Sequence, residues 1–437
     1  MKKTVFLLSL FSLLASTGNA QVYQGADLPD VMTFLDGSEV KTRADWEKRK
    51  AEIKDLWCDY LIGRFPEESP KLLSAEIIGT ESAADGSTRR RVVLTFDTPN
   101  KKSFEVAVWE PKASDTAARP LLLTQPRHYQ RQQWGGEALK RGYVVCIYPG
   151  LDAHHREKDY PGYERVWKTF KSEYPKATWS SSLGIQAWLA SRTLDYLLDT
   201  KHGYKIDPEA VGITGFSRYG KQSIYAAAFD ERFKCVVARS SGTPTACSYR
   251  FAGRQTFMES VALEDCPKVW LSDKARSFYG RENELPVEGN ALMACIAPRH
   301  LMIDTSYNDG SDPTFGVERN YLSAKKAWAF QGEEDRICLS YRKGNHGPVT
   351  DERVKHNLDY FDLAFGRGKA GASDFPEVLL HAFDWKAWKS KQRTSDLATP
   401  REVSVRQKIE WMLGDQPTSI KDAGKYHKKT GEGLGVP

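Results

Sequence analysis

The sequence predicts an α/β fold in which a mostly parallel central sheet is flanked by helices and interrupted by a lid insertion. Three observations lead to this. Six short apolar runs, at 121–124, 144–148, 211–214, 235–238, 301–304 and 337–341, are separated by helical stretches, the pattern of buried parallel strands joined by crossovers. Three segments at 75–79, 90–96 and 104–109 precede them as an antiparallel lead-in. The stretch 243–288, aromatic, charged and rich in turns, then breaks the alternation between two strands, where long inserts often cover a site.

Taken in chain order, residues 1–20 read as a secretory signal peptide. Lys2 and Lys3 are followed by an apolar run over 5–15, and Gly18 and Ala20 stand at −3 and −1 of a cleavage point before Gln21. That run is too short to span a bilayer, and the absence of a cysteine at the cut argues against a lipid anchor. A periplasmic or secreted protein without membrane insertion is expected. Residues 42–65 form a helix, with Trp46, Ile53, Leu56, Trp57 and Tyr60 near helical spacing and Gly63 and Pro66 ending it. Further helices are expected over 183–198, 316–330 and 351–365. Residues 21–366 would make the catalytic domain. The extension 367–437, carrying Phe383, Trp385, Trp388 and Trp411, would wrap it before ending in a polar, disordered tail.

Charge and cysteines limit the partners. The formal net charge of +6 would fall by two with Lys2 and Lys3, and charges of both signs are interspersed, so no nucleic-acid partner is indicated. The seven cysteines are an odd number, leaving at least one thiol unpaired in an oxidising compartment. Cys146, Cys235 and Cys338 sit in strand-like runs as buried thiols, whereas Cys247 and Cys266 are the candidates for a loop disulfide. None has metal-ligand spacing. Asp152, His154 and His155 lack a further ligand at fixed spacing, so neither metal nor cofactor is expected, and the chain should act as a monomer.

The most informative stretch is Val211 to Lys221. A strand runs into Gly215, then Phe216 and Ser217, and a helix follows through Ala226-Ala227-Ala228. This matches a nucleophile elbow, in which a sharp strand-to-helix turn lifts a serine oxygen out of the sheet and needs a small residue two positions earlier. Tyr219 departs from the usual G-x-S-x-G, with Gly220 one position late. The competing reading is a serine at an ordinary helix N-cap.

An elbow implies the α/β-hydrolase fold, with chain order Ser, acid, His. His346 lies in Gly344-Asn345-His346-Gly347, just past the last strand, and is the candidate general base. Asp309, at the carboxyl end of the preceding strand, is the first candidate for the acid. Asp312 is second, and Asp304 should lie too deep within the strand.

With these residues in place, the chain resembles the glucuronoyl esterases of carbohydrate esterase family 15. Gly215-Phe216-Ser217-Arg218-Tyr219-Gly220-Lys221 is similar to their G-C-S-R-x-G-K. Residues 46–66 resemble their W-x-x-R-R-x-E-I entry helix and its Y-G-R-x-P ending, and 188–196 their W-x-x-S-R-x-x-D-x-L helix. Leu285-Pro286-Val287, Ala297-Pro298-Arg299 and Tyr307-Asn308-Asp309 resemble L-P-x-D, A-P-R and W-N-D, so the likeness covers about 43–366. The pectin methylesterases of carbohydrate esterase family 19 look as close. Two departures stand out. Family cysteines that can pair, before the serine and before the histidine, are here Phe216 and Asn345. The family's E-S-G-x-G-G glutamate run is here Ser240-Ser241-Gly242-Thr243-Pro244, which shifts the acid to Asp309.

The resemblance implies that Arg218 supplies the oxyanion hole through its N–H and guanidinium, that Lys221 contacts the uronosyl ring, and that a second donor comes from 125–128. Two cations in a first helical turn are otherwise unfavourable. Arg250, Arg254 and Arg281, with Trp179, Tyr249, Phe251 and Trp270, lie in segments expected around the pocket, and Arg250 and Trp179 are the candidates for holding uronate and sugar. The expected partner is a plant cell-wall polysaccharide or oligosaccharide. The expected function is removal of methyl esters from galacturonic acid residues of pectin. The alternatives are a glucuronoyl esterase cleaving lignin-carbohydrate esters, an acetyl esterase, a serine peptidase and an inactive glycan-binding homologue.

Overall fold

The computed structural model describes residues 28–112, 117–126, 134–150, 160–251, 268–347 and 350–381. Among the described residues nine strands form one sheet: β1 (Leu72–Ser82), β2 (Thr88–Phe96), β3 (Ser103–Glu110), β4 (Arg119–Thr124), β5 (Val144–Ile147), β6 (Ile206–Phe216), β7 (Cys235–Arg239), β8 (His300–Asn308) and β9 (Ile337–Asn345). Their order is β1-β2-β3-β5-β4-β6-β7-β8-β9. The first three pair antiparallel, β3 joins β5 antiparallel, and β5, β4, β6, β7, β8 and β9 run parallel. Burial explains both patterns in the sequence. In β2 the buried residues Val92, Leu94 and Phe96 alternate with partly exposed ones, because one face meets solvent. β5 and β7 are buried throughout, because helices cover both faces.

Among the described residues the helices are α1 (Arg43–Trp57), α2 (Trp134–Lys140), α3 (Val166–Glu173), α4 (Ser182–Leu197), α5 (Arg218–Phe229), α6 (Asp273–Arg276), α7 (Gly289–Ala294), α8 (Thr314–Gln331) and α9 (Asp351–Ala364). One sheet face packs Leu121, Leu123, Ile213 and Ile303 with side chains of α1, α4, α5, α7 and α8. The other packs Leu122, Val145, Val237 and Met302 with α2 and α9. The expected helix over 42–65 is α1 continued by a π-helical turn, Cys58–Ile62, and it starts on a Thr42–Asp45 capping box. Helices α2 and α3 escaped the sequence reading because each spans only about two turns, too short to establish a period.

The described parts of the segment 243–288 are tied to each other and to the entry helix. Glu288 accepts the backbone N–H groups of Tyr249 and Arg250, and Ser272 bonds to the carbonyls of Tyr60 and Leu61. Beyond α9 the chain packs on α8: Glu377 accepts from Tyr321 and Lys325, and Glu318 accepts the N–H groups of Leu380 and His381. The expected signal peptide, Cys266, Arg254, Asp152, His154, His155, Phe383 and the three C-terminal tryptophans lie outside the described residues. Cys146, Cys235 and Cys338 are buried thiols in β5, β7 and β9. Among the described residues no helix is long and apolar enough to cross a membrane, and no three His, Cys, Asp or Glu side chains cluster as metal ligands.

Asp304, in the middle of β8, is the charge on which this layer turns. It is fully buried, accepts from Arg353 Nη2 at 3.0 Å and Asn357 Nδ2 at 2.7 Å, and lies 3.6 Å from Arg239 Nε and 3.8 Å from Arg342 Nε. Burial opposes its ionisation, but the guanidinium groups of Arg353, Arg342 and Arg239 outweigh it and hold the carboxyl below its ordinary range. Asp304→Ala would take the shared carboxylate from two buried arginines, Arg239 and Arg342, and from the partly buried Arg353. It should cost about 3–5 kcal/mol in a chemical-denaturation midpoint experiment, and Asp304→Asn should cost nearly as much, because an amide keeps the shape but removes the charge and turns a donor towards Arg353 or Asn357.

Candidate active site

A single residue separates β6 from α5, and it is Ser217. Its backbone sits at φ 57° and ψ −128°, a conformation costing on the order of 1–3 kcal/mol for a residue with a side chain. Two absent side chains permit it. A Cβ on Gly215 would stand 2.3 Å from the Tyr219 carbonyl oxygen, and one on Gly220 would stand 2.9 Å from Ser241 Cβ and 3.0 Å from the Arg239 carbonyl oxygen. The second small residue therefore falls at 220 because that position faces β7. Tyr219 points instead into a pocket made by Ala107, Ile147, Tyr160 and Tyr163. The Ser217 N–H donates to the Arg239 carbonyl at 2.8 Å, and Lys221 N–H donates the first helical bond to the Ser217 carbonyl at 3.1 Å.

The Ser217 hydroxyl makes no capping bond to α5, as an ordinary N-cap serine would. Its Oγ lies 3.0 Å from His346 Nε2, and His346 Nδ1 lies 2.9 Å from Asp309 Oδ1. The three residues follow β6, β9 and β8 at their carboxyl ends, so sheet register alone brings together residues far apart in sequence. Asp309 Oδ1 also accepts the Ser311 N–H at 3.0 Å. Burial opposes its charge, yet the bond from His346, the positive charge the imidazole can carry and the Ser240 hydroxyl keep the carboxyl below its ordinary range. An ionised Asp309 holds the proton of His346 on Nδ1, leaving Nε2 to accept from Ser217.

The other two acids are sorted by environment. Asp304 is committed to Arg353 and Asn357, as above. Asp312 is fully buried and accepts the Gly242 N–H. Burial and the neighbouring Asp309 charge push its carboxyl up to about 7, against the pull of Lys221, Thr305 and His346. The structure thus places Asp309, and not Asp312, against the imidazole.

The residues expected to bind substrate are placed differently. Arg218 is partly buried, with its guanidinium carbon 4.9 Å from the centre of the Trp270 ring. Lys221 is fully buried, its ammonium bonded to the Ser241 carbonyl and 5.6 Å from the same ring. Arg250 corrects the expectation of an open uronate clamp. Its guanidinium is buried against Glu288, 3.2 Å away, and bonded to the Leu285 carbonyl at 2.6 Å, so it joins the two described parts of the segment 243–288. Trp179 is likewise a core residue, edge-packed on Phe65, Tyr174 and Trp188 with no open face for a sugar. Gln125 is buried and donates to Tyr148; residues 127 and 128 lie outside the described residues.

Three neighbours of the site were given no role at the imidazole or the acid by sequence reasoning, which named Phe216 only as a departure from the family, Trp270 only among the aromatics around the pocket, and Arg342 not at all. Phe216 lies with its ring centre 4.7 Å from that of His346. Arg342 donates to the Ser240 hydroxyl at 2.5 Å and comes within 3.9 Å of Asp309 Oδ2. Trp270 lies beside both cations of the first turn of α5. The available signal was an arginine ending each of two apolar strand runs, at 239 and 342, where a buried charge demands a buried partner.

The raised carboxyl of Asp312 carries a stability consequence. A folded-state value above the ordinary 3.8 means the native state binds the proton more tightly, so this contribution is full at low pH and is lost as pH rises towards 7. Glu288, pushed up to about 7 by burial, acts in the same window. The thermal midpoint should therefore fall between pH 5 and pH 8, and Asp312→Asn should flatten part of that fall, as scanning fluorimetry at several pH values would read.

Comparison with known proteins fits this geometry. The family described as glucuronyl esterase, fungi, matches residues 100–332, more than half of the chain. A multidomain esterase of Ruminococcus flavefaciens is 23% identical over 369 residues, covering 78% of this chain and 46% of that protein. A 4-O-methyl-glucuronoyl methylesterase of Cerrena unicolor is 25% identical over 288 residues, covering 64% and 57%. The chain thus spans about half the length of these two relatives. The solved structure of a carbohydrate esterase family 15 glucuronoyl esterase from Caldicellulosiruptor kristjansonii superposes with a TM-score of 0.64 at 28% identity, over 83% of this chain and 96% of that one. The chain belongs to the glucuronoyl esterase family, carbohydrate esterase family 15.

Proposed function

We propose that this protein is a serine esterase hydrolysing esters of the glucuronoyl carboxyl group in plant cell-wall polysaccharide. The observation that carries the reading is the unbroken chain Ser217–His346–Asp309, with contacts of 3.0 and 2.9 Å, at the carboxyl edge of the sheet. Family membership supports the acyl part and favours a glucuronoyl ester over the galacturonate methyl ester expected from sequence. Export to the periplasm or beyond fits such a substrate, and the amino-terminal residues support it.

In this reading Ser217 Oγ attacks the ester carbonyl carbon while His346 Nε2 takes its proton and Asp309 stabilises the imidazolium. The oxyanion meets the N–H of Arg218, in the first turn of α5, where amides lack partners within the helix and the dipole favours negative charge. Collapse breaks the bond to the alcohol, which leaves with the proton from His346. Water, activated by the same imidazole, then releases the uronate and restores Ser217. Lys221 acts from beneath, bonded to the Ser241 carbonyl, its charge pulling against the rise in the Asp312 carboxyl. Tyr307, two residues before Asp309, is 41% exposed and stacked on Tyr341 with ring centres 5.2 Å apart. It offers an aromatic face for a sugar ring.

Benzyl glucuronate hydrolysis, followed by release of benzyl alcohol, tests the reading directly. It should be present in the parent and lost in Ser217→Ala; absence from the parent, with methanol released from pectin instead, would overturn the choice of uronate. Asp309→Asn should lower kcat by about 10³–10⁴ with little change in KM, as loss of the tautomer-holding carboxylate does elsewhere. Tyr307→Ala should instead raise KM roughly five- to tenfold and leave kcat nearly unchanged, as steady-state kinetics on the same ester would show.

A further inference from the structure

We infer that Phe216 is a positioning residue whose ring holds the His346 imidazole in the plane shared by Ser217 and Asp309. The inference rests on the proposed role of these three residues and concerns a contact that role does not require. Two hydrogen bonds, through Nδ1 and Nε2, fix two points of the imidazole and so define an axis through the ring. They leave it free to roll about that axis, which tilts the Nδ1–H bond and the Nε2 lone pair away from their partners and weakens bonds that depend on angle. The backbone gives little help. Glycines stand two residues before and one after His346, Gly344 with φ +98°, and the imidazole is about a quarter exposed.

Phe216 supplies the missing restraint. Its ring centre lies 4.7 Å from that of His346 with 36° between the planes, close enough for face contact. The ring is itself held, because the guanidinium carbon of Arg239 lies 5.3 Å from its centre, and Arg239 is fully buried against Asp304 and the ring of Trp134. The same Arg239 accepts the Ser217 N–H on its carbonyl oxygen. The nucleophile, the residue before it and the imidazole are thus braced from one point on β7. The aromatic face also favours the imidazolium that forms during acyl transfer, since a ring quadrupole attracts a cation over its face.

The test uses the full chain with Phe216→Leu and Phe216→Tyr, and two readouts. One is the rate at which a fluorophosphonate labels Ser217, which reports activation of the nucleophile whatever ester the enzyme prefers. The other is kcat and KM on benzyl glucuronate. Phe216→Leu should slow labelling and lower kcat about tenfold each with KM within about twofold, and Phe216→Tyr should stay within about twofold of the parent throughout. Leucine labelling as fast as the parent would overturn the inference, as would tyrosine falling as far as leucine or a change confined to KM. Should Phe216→Leu fail to fold, Phe216→Met takes its place, with the thermal midpoint as the check. A parent that is labelled at Ser217 yet leaves benzyl glucuronate intact would overturn the substrate reading, while the labelling rates still decide the role of Phe216.

Discussion

The close approach of α5 to β6 and β7 is the constraint from which the site follows. Gly215 and Gly220 lie where any side chain would strike backbone or a neighbouring β-carbon, so the helix can start one residue after the strand ends. That geometry forces Ser217 to positive φ, and the strain is offset by a helix whose residues from Tyr219 to Ala228 are all buried. One turn then fixes three things at once. The hydroxyl stands clear of the sheet, the first amides of α5 face the space beside it, and Lys221 is drawn under the site onto the Ser241 carbonyl.

Beneath that turn lies a layer of buried charge unusual for the carboxyl edge of an apolar sheet. Three carboxylates fall within nine residues of chain, and each is given a different task by what surrounds it. Asp304 is pinned by Arg353 and Asn357 and neutralises the arginines ending the apolar runs of β7 and β9. Asp309 is held ionised by the imidazole, while Asp312, buried beside it, is pushed towards the neutral form because two adjacent charges cannot both be kept there cheaply. Sorting acids by environment is what lets one of them orient a histidine without the others competing for it.

Much of this was legible in the sequence, and the reason is local in each case. The parallel strands announced themselves as continuous apolar runs, and the elbow as glycine, serine and a following helix. His346 and Asp309 could be named because the fold places them after known strands. Arg250 and Trp179 were misplaced for a common reason. Arginine and tryptophan bind sugars and also fill cores, and only tertiary contacts with Glu288 or with Phe65 and Trp188 tell which. The contact of Phe216 with His346 joins residues 130 positions apart in chain number through loop geometry that no pattern encodes.

The carboxylate that meets the imidazole comes from the loop after β8. The loop after β7 has Ser240, at φ 44° and bonded to Arg342. Neighbouring parallel strands lie about 4.8 Å apart, so an aspartate at the end of β8 approaches the same imidazole from one strand over. The requirement is only that an ionised oxygen meet Nδ1 while Nε2 faces the serine, and either loop can satisfy it. Arg342 reaches across the end of β7, its guanidinium shared among Ser240, Asp304 and Asp309. A cation so placed ties Asp309 to the buried layer below, so that charge balance in the core and orientation of the histidine become one interaction.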